Sequence, residues 1–224
     1  MSKPTWPHVF VPSDSGPGGP ALLLLHGTGA DENDLVPIGR QLAPGVALVS
    51  PRGRVLENGM PRFFRRLAPG VFDEADLIQR THELAGFARE ASAAYDVDPA
   101  RLWAVGYSNG ANIAASLLLL HPELLRGAVL LRAMPPFKTP PTVTRSESGS
   151  RPRVLIMSGA SDQMMRPEDA ARLADELRVS GADVTLRRAN AGHELTAAEV
   201  SDAGSWLREQ LATTEGSHSG TKPT

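Results

Sequence analysis

The 224-residue chain contains no cysteine. This absence excludes a disulfide framework, a thiolate metal site and a cysteine nucleophile. The H-E-x-x-H pattern is also missing, and no two histidines lie four residues apart, so we expect no metal ion. The glycines of HGTGAD at 26–31 lack the Lys-Ser/Thr ending of a phosphate loop, which argues against a nucleotide. The sequence therefore predicts a protein that works without a cofactor.

Long runs of apolar residues, or of charges of one sign, are missing as well. The longest apolar stretches, such as ALLLL at 21–25, are far shorter than the ~20 residues of a membrane-spanning helix. The formal net charge is only −2, which argues against nucleic acid or a membrane surface as a partner. The first ten residues lack the apolar core of a secretory signal. We expect a cytoplasmic protein without stable membrane association, either a monomer or a homodimer.

What the chain does contain is a regular alternation of short apolar runs and helical patterns. Apolar residues make up 41% of the chain, as in globular proteins. The runs are nearly continuous, which is typical of strands covered on both faces, and their alternation with helices predicts a mostly parallel sheet. The predicted strands are 21–25, 46–49, 102–105, 127–131, 153–157 and 184–188, with an edge strand at 9–12. The predicted helices are 31–43, 73–94 (capped by Asp73), 109–120, 167–180 and 195–212.

The length suits a single domain. We expect this domain to span residues 1–212 and a disordered polar tail to occupy 213–224, where no apolar face recurs. Two further segments, 51–72 and 133–152, have no regular pattern and are expected to be irregular.

Three polar residues follow three different predicted strands. Ser108 lies in the turn GYSNG at 106–110, Asp162 follows the strand at 153–157, and His193 follows the strand at 184–188. Because the carboxyl ends of parallel strands meet at one edge of a sheet, these side chains are expected to lie close together. The turn matches G-x-S-x-G, in which glycines leave room for a serine on a strained strand-to-helix turn.

A serine nucleophile needs a base, the base needs an orienting acid, and the intermediate needs two N–H donors. Of the six histidines, His8 and His218 lie near the termini, and among the other four only His193 follows the last core strand. His26 is expected to shape the HGTG turn. Asp162 is the predicted acid, with Asp169 and Asp183 left as alternatives. The predicted donors are the backbone N–H groups of Asn109, at a helix start, and Thr28, after the first core strand.

These segments resemble the α/β-hydrolase superfamily, and within it the small phospholipase/carboxylesterase branch that includes the acyl-protein thioesterases. The matching pieces are LLLLHGTG, GYSNGAN, SGASDQMMRP and AGHE, in the family's order over about residues 20–210. The resemblance implies a three-layer α/β-hydrolase fold with Ser108, Asp162 and His193 as the catalytic triad. It also implies that Thr28 and Asn109 form the oxyanion hole.

The function expected from this resemblance is hydrolysis of small-molecule carboxylic esters through an acyl-enzyme. Two alternatives stay open because fold and triad are shared among many substrates. The chain could be a thioesterase or another acyl hydrolase with the same triad. It could also be a receptor that binds a ligand in the same pocket without catalysis.

The segment 52–72 interleaves apolar residues with Arg62, Arg65 and Arg66. In one interpretation it packs on the sheet, and its arginines pair with Glu74 and Asp76 or face solvent. In the other it forms a substrate-binding wall near the nucleophile, with an arginine for a substrate carboxylate.

Similarity to the specificity loop of the branch makes Phe63 and Phe64 binding candidates. Met164 is a third, because many relatives have Val-Pro after the triad aspartate where this chain has Gln-Met-Met. In relatives that act at lipid interfaces, a helical cap often follows the strand that ends here near 131. Four prolines in the first half of 133–152 disfavour such a helix, so we expect a plain surface connection, no large cap domain, an open site and short to medium acyl chains.

Overall fold

The computed structural model describes residues 4–141 and 151–216. Its main sheet has seven strands, one for each predicted strand. These are β1 (His8–Val11), β2 (Ala21–Leu25), β3 (Ala47–Pro51), β8 (Leu102–Tyr107), β9 (Gly127–Leu131), β10 (Arg153–Gly159) and β11 (Asp183–Ala189). Four short strands between β3 and β8 form two hairpins outside this sheet: β4 (Val55–Glu57), β5 (Met60–Arg62), β6 (Arg66–Ala68) and β7 (Val71–Phe72).

The strands of the main sheet lie in the order β1-β3-β2-β8-β9-β10-β11. All neighbours are parallel except β1, which runs antiparallel to β3 at the edge. The carboxyl ends of β2, β8, β9, β10 and β11 therefore meet at one edge of the sheet. We call this the functional edge, because the residues after these strands form the candidate site described below.

Helices cover both faces of the sheet. They are α1 (Val36–Leu42), α2 (Glu74–Ala94), α3 (Asn109–Leu120), α4 (Asp169–Val179) and α5 (Ala197–Gly216). Successive side chains of a strand point to opposite faces, so a fully apolar strand serves two cores. In β2, Leu23 and Leu25 join the core beneath α2, α3 and α4, while Leu22 and Leu24 join the core beneath α1 and α5. The result is the predicted three-layer α/β arrangement.

The predicted elements agree closely with the structure. Strands 21–25 and 127–131 and helix 109–120 have the predicted bounds, and the other main-sheet strands differ by one or two residues at an end. The Asp73 side chain accepts a hydrogen bond from the backbone N–H of Asp76, as expected for a helix cap. Helix α1 is shorter than predicted because residues 31–35 form turns instead of helix.

The segment 51–72 is not irregular, contrary to the prediction. Its two hairpins turn through Gly59 and Gly70, which have φ of 80° and 71°, values that glycine adopts at little cost. Each strand has only two or three residues, too few for a periodic pattern to show in the sequence. The hairpins lie at the functional edge and contribute to the cavity described below.

The carboxyl-terminal helix extends beyond the predicted domain boundary. Helix α5 continues to Gly216 instead of ending at 212. Thr213 is tied to the sheet, since Nη1 of Arg153 donates to its Oγ1 at 2.8 Å, and this contact favours ordered helix there. The rest of the expected tail, 217–224, lies outside the described residues.

Residues 132–141, after β9, contain no helix or strand, as the four prolines predict, while 142–150 lie outside the described residues. Within the described parts of the chain, no helix has the length and apolar content needed to cross a membrane.

Candidate active site

The turn after β8 holds Ser108 in a backbone conformation that side chains rarely adopt. Its φ is 53° and its ψ is −114°, in a region where residues other than glycine are strained. A Cβ on Gly106 would lie 2.5 Å from the carbonyl oxygen of Gly110, and one on Gly110 would overlap the carbonyl oxygen of Leu25. Both glycines are therefore required for the tight turn that presents Ser108 at the start of α3.

Ser108, His193 and Asp162 form a continuous hydrogen-bonded chain. Nε2 of His193 lies 3.1 Å from Oγ of Ser108, and Nδ1 lies 2.8 Å from Oδ2 of Asp162. A carboxylate can only accept a hydrogen bond, so Nδ1 carries a proton and donates it to Asp162. In a neutral ring Nε2 is then free to accept the hydroxyl proton of Ser108.

Backbone contacts bring the Asp162 and His193 loops together. The N–H of Ala160 donates to Ala189 O at 2.8 Å, and that of Ser161 donates to Ala191 O at 3.0 Å. A Cβ on Gly159 would collide with the carbonyl oxygens of the neighbouring loop, so the approach depends on a glycine there. Asp162 is held by a second hydrogen bond, from the N–H of Met164 to its Oδ1 at 2.9 Å.

The structure identifies which of the three candidate aspartates is the partner of His193. Asp169 is fully buried and accepts hydrogen bonds from the side chain and backbone of Arg166. Asp183 begins β11, at the opposite end of the strand from His193. Asp162 is the carboxylate that His193 contacts.

His26 shapes the turn after β2, as predicted. Its ring is fully buried. Nδ1 donates to Gly27 O at 2.7 Å, and Nε2 accepts from the N–H of Gly53 at 2.9 Å. Burial lowers the pKa of His26 below its ordinary value, although the Gly27 contact opposes this. The neutral ring therefore links the turn that carries Thr28 to the loop after β3.

The two predicted N–H donors flank this arrangement. Asn109 is the first residue of α3, where a backbone N–H has no partner within the helix. Among the described residues, neither its N–H nor that of Thr28 donates a hydrogen bond. Both N–H groups are available to a bound anion.

A cavity of about 950 Å³ opens over Ser108 and His193. Its apolar wall comes from the hairpin β6–β7 and from residues 134–137 after β9. The segment after β9 is thus part of the cavity wall and not the plain surface connection that the sequence predicted. Six basic side chains also line it: Arg62, Arg66, Arg132, Lys138, Arg166 and Arg172.

The chain is similar over most of its length to known hydrolases. The chain is 43% identical to MhqD of Bacillus subtilis (strain 168), described as a hydrolase, over 204 residues that make up 91% of this chain and 98% of MhqD. The crystal structure of the Bacillus cereus carboxylesterase is 43% identical, has a TM-score of 0.85, and covers 92% of this chain and 94% of its own. No protein-family model matches the chain.

The chain belongs to the small carboxylesterase branch of the α/β-hydrolase superfamily. A carboxylesterase from Mesorhizobium loti is also similar, at 35% identity and a TM-score of 0.78, with 84% of this chain and 88% of that chain covered. The predicted fold and family are confirmed, and the chain is a carboxylesterase-type hydrolase.

The prediction of substrate-binding residues is wrong for two of its three members. Phe63 and Phe64 are 2% and 0% exposed and belong to the core. Phe64 packs edge-on against Phe72, and Phe72 in turn lines the cavity. Met164 does line the cavity, with 61% of its surface exposed. Phe63 and Phe64 lie in the link between the two hairpins, which places both rings in the core.

The arginines of the hairpin segment have different partners from those predicted. Arg62 and Arg66 both contact Glu57, at 3.2 and 2.7 Å. Arg65 pairs with Asp73 at 2.7 Å, and of the two predicted acids only Asp76 contacts it, through the Arg65 backbone N–H. The hairpins decide these pairings, because they bring Glu57 beside Arg62 and Arg66.

Sequence reasoning missed Arg132, which follows β9 at the functional edge. Its buried guanidinium donates to the carbonyl oxygens of Gly192 and Glu194, both at 2.8 Å, on either side of His193. The Tyr107 hydroxyl donates to His193 O at 3.0 Å. The rule that located Ser108, Asp162 and His193 could have found Arg132, since it too directly follows a core strand.

Nothing in the described parts of the chain resembles a metal centre, since no three side chains among His, Asp and Glu cluster as ligands would.

Proposed function

We propose that this hydrolase is a serine esterase that cleaves carboxylic esters through an acyl-enzyme. The observation that carries the proposal is the hydrogen-bonded chain from Ser108 through His193 to Asp162. This is the constellation of a serine nucleophile, a general base and an orienting acid. The free N–H groups of Thr28 and Asn109 supply the remaining requirement, donors for the negative charge of the intermediate.

In the first half-reaction Oγ of Ser108 attacks the ester carbonyl carbon while its proton passes to Nε2 of His193. The carbonyl π electrons move onto oxygen, and the N–H groups of Thr28 and Asn109 stabilise that charge. The carbon–oxygen bond to the alcohol then breaks, and the imidazolium gives its proton to the departing alkoxide. Asp162 keeps the ring in the required tautomer and stabilises its positive charge.

In the second half-reaction water repeats these steps in reverse. His193 removes a proton from water, the hydroxide adds to the acyl carbon, and the intermediate collapses. The bond to Oγ breaks, and Ser108 recovers its proton from Nε2. The products are a carboxylic acid and the free enzyme.

We further propose that the preferred acyl chains are short to medium, roughly C2 to C8. The wall formed by residues 69–72 and 134–137 offers limited apolar area, and each buried CH₂ contributes about 0.8 kcal/mol. The cavity volume and the absence of helix in 132–141 favour a site that soluble esters can enter directly.

The experiment that tests the proposal is labelling with a fluorophosphonate, with Ser108→Ala as the variant. We expect the wild type to be labelled and Ser108→Ala to be unlabelled and to lose about 1,000-fold or more in kcat. Ser201→Ala, an exposed serine on α5, is the matched control and should behave as wild type. If Ser108→Ala kept more than a tenth of the wild-type rate, the serine mechanism would be wrong.

A panel of esters, thioesters and amides with equal leaving-group reactivity separates the remaining alternatives. We expect esters to give the highest kcat/KM. Faster turnover of thioesters would assign the chain to the thioesterases with the same residues in the same roles. Ligand binding without labelling or turnover would mark a receptor.

A further inference from the structure

The cavity wall contains two arginines that share one carboxylate. Nε and Nη2 of Arg66 donate to Oε1 of Glu57 at 2.9 and 2.7 Å. Nε of Arg62 lies 3.2 Å from Oε2 of the same Glu57. This Arg62–Glu57–Arg66 cluster carries two positive charges and one negative charge, so its net charge is +1.

The other arginines of the wall are already paired with carboxylates. Arg132 pairs with Glu199, Arg166 with Asp169, and Arg172 with Glu176. Glu74 accepts a hydrogen bond from the backbone N–H of Lys138. Positive charge without a counter-charge in contact therefore remains in two places of the wall, the buried side of the Arg62–Glu57–Arg66 cluster and the exposed ammonium of Lys138, and only the cluster lies beside Thr28.

The cluster also has unused hydrogen-bonding capacity. Nη1 of Arg62 donates to Oγ1 of Thr28 at 2.7 Å, and its Nε donates to Phe64 O. Within the described residues, Nη2 of Arg62 and Nη1 of Arg66 have no hydrogen-bond acceptor. Burial lowers the pKa of Arg62, and the charge of Arg66 lowers it further, by more than Glu57 raises it.

The position of the cluster indicates which part of a substrate it would meet. Arg62 contacts Thr28, and the N–H of the next residue, Phe63, donates to Oδ1 of Asn109 at 2.8 Å. The cluster therefore lies on the side of Ser108 that carries the two free N–H groups. The alcohol must leave towards His193, which protonates it, and the carbonyl oxygen meets the two N–H groups. The acyl part is then the portion of the substrate left to reach the cavity wall that contains the cluster.

We infer that the Arg62–Glu57–Arg66 cluster binds a carboxylate at the far end of the acyl chain, so that the preferred substrates are half-esters of dicarboxylic acids. Two adjacent guanidinium groups match the planar geometry of a carboxylate. A net charge of +1 is balanced by one carboxylate, whereas a phosphate dianion would leave an excess. The inference rests on the proposed esterase function, because it assigns the acyl part of that substrate.

The test compares each monomethyl ester of succinic, glutaric and adipic acid with the methyl ester in which the free acid is replaced by its neutral amide. The amide is nearly isosteric, so the ratio of the two kcat/KM values reports the charge alone. We expect the wild type to prefer the anionic ester by at least tenfold for one chain length. Most of the difference should be in KM, since the contact exists before and during the reaction.

Arg66→Gln should reduce the ratio to below about threefold, because one of the two guanidinium groups that would bind the carboxylate is lost. Arg66→Lys should recover only part of the ratio, because an ammonium lacks the planar fork. Glu57→Gln removes the compensating charge and should raise the ratio. Arg89→Gln, which removes one exposed positive charge from α2 outside the cavity, is the matched control and should leave the ratio within about twofold.

A wild-type ratio near one, or a ratio in Arg66→Gln equal to that in Arg89→Gln, would overturn the inference. If Arg66→Gln did not fold, an unchanged or lower ratio in Glu57→Gln would overturn it as well. Preference for a phosphorylated acyl chain over the half-esters would also contradict the inference. Turnover of the neutral esters that depends on Ser108 but shows no charge preference would refute only this inference, whereas turnover independent of Ser108 would refute the proposed function itself.

Discussion

Nη2 of Arg132 lies 2.9 Å from Oε2 of Glu199, and the two residues are 67 positions apart in the sequence. The same guanidinium holds the backbone on both sides of His193. Glu199 also accepts hydrogen bonds from the backbone and side chain of Thr196, at the turn before α5. One buried ion pair therefore connects the end of β9, the His193 loop and the start of α5.

Glu199→Gln should lower the free energy of unfolding by about 3 kcal/mol at pH 7, because it leaves the Arg132 charge buried without a counter-charge. We expect kcat to fall too, since the His193 loop loses its fixed support. Urea unfolding and ester hydrolysis measure the two effects. A variant as stable as wild type would show that Arg132 and Glu199 contribute no net stability.

The stability difference between wild type and Glu199→Gln should depend on pH. Burial by itself would raise the pKa of Glu199, but the hydrogen bonds from Arg132 and Thr196 outweigh burial and hold the pKa below its ordinary value of 4.5. The charged form is favoured in the folded state, so the unfolded chain binds more protons as the pH falls. The difference should be complete above about pH 5.5 and shrink as the pH falls through 4.5 and below. A difference that grew in acid would contradict this assignment.

Gly110→Ala should abolish folding or lower stability by several kcal/mol, because the added Cβ would overlap the Leu25 backbone. Gly86, within α2, is the matched control, since nothing lies within 4 Å of a Cβ added there. Gly86→Ala should raise stability by about 0.5–1 kcal/mol through helix propensity. Thermal unfolding of the two variants compares them directly, and equal effects would mean that the turn at Ser108 tolerates a Cβ.

Ser108→Gly should be more stable than Ser108→Ala by about 1 kcal/mol, although both should be inactive. The φ of 53° and ψ of −114° strain any residue that has a Cβ, and glycine removes the strain. Denaturant unfolding provides the measurement. Equal stability of the two variants would show that the turn relaxes once the hydroxyl is gone.

Asp162→Asn should lower kcat about 100- to 10,000-fold with little change in stability, because an amide can hold the imidazole in the wrong tautomer. Asp183→Asn, at the amino-terminal end of β11, should retain wild-type kcat. Steady-state hydrolysis of one ester by both variants shows which aspartate orients His193. An active Asp162→Asn together with an inactive Asp183→Asn would reverse the assignment.

Hydrolysis of p-nitrophenyl esters should be fastest for chains of about C2 to C8 and should not jump at the solubility limit. The apolar wall covers only a few methylenes, and no described segment between 132 and 141 forms a helix over the cavity. Rates are measured against concentration through the solubility limit of each ester. Preference for C16 over C4, or a jump as aggregates form, would indicate a lid.

The elements of the main sheet and the order of the candidate residues along the chain could be predicted from the amino-acid sequence alone. Strands such as 21–25 could be predicted because burial on both faces requires a continuous apolar run, a local property. Ser108, Asp162 and His193 could be predicted to meet because parallel strands end at one edge, whatever the details of packing. The glycines of GYSNG could be interpreted because sterics at a tight turn depend on immediate neighbours.

The tertiary structure was needed to tell which side chains in and between the hairpins face the cavity and which join the core. Phe63 and Phe64, in the link between the two hairpins, are buried, whereas Phe72 in β7 lines the cavity. Strands of two or three residues and a short link give no periodic pattern from which a face could be assigned. The ion pairs could not be predicted either. The hairpins bring Glu57 beside Arg62 and Arg66, and the packing of α5 brings Glu199 to Arg132, 67 positions away in the sequence. Charges along a chain show how many ion pairs are possible, but packing selects the pairs that form.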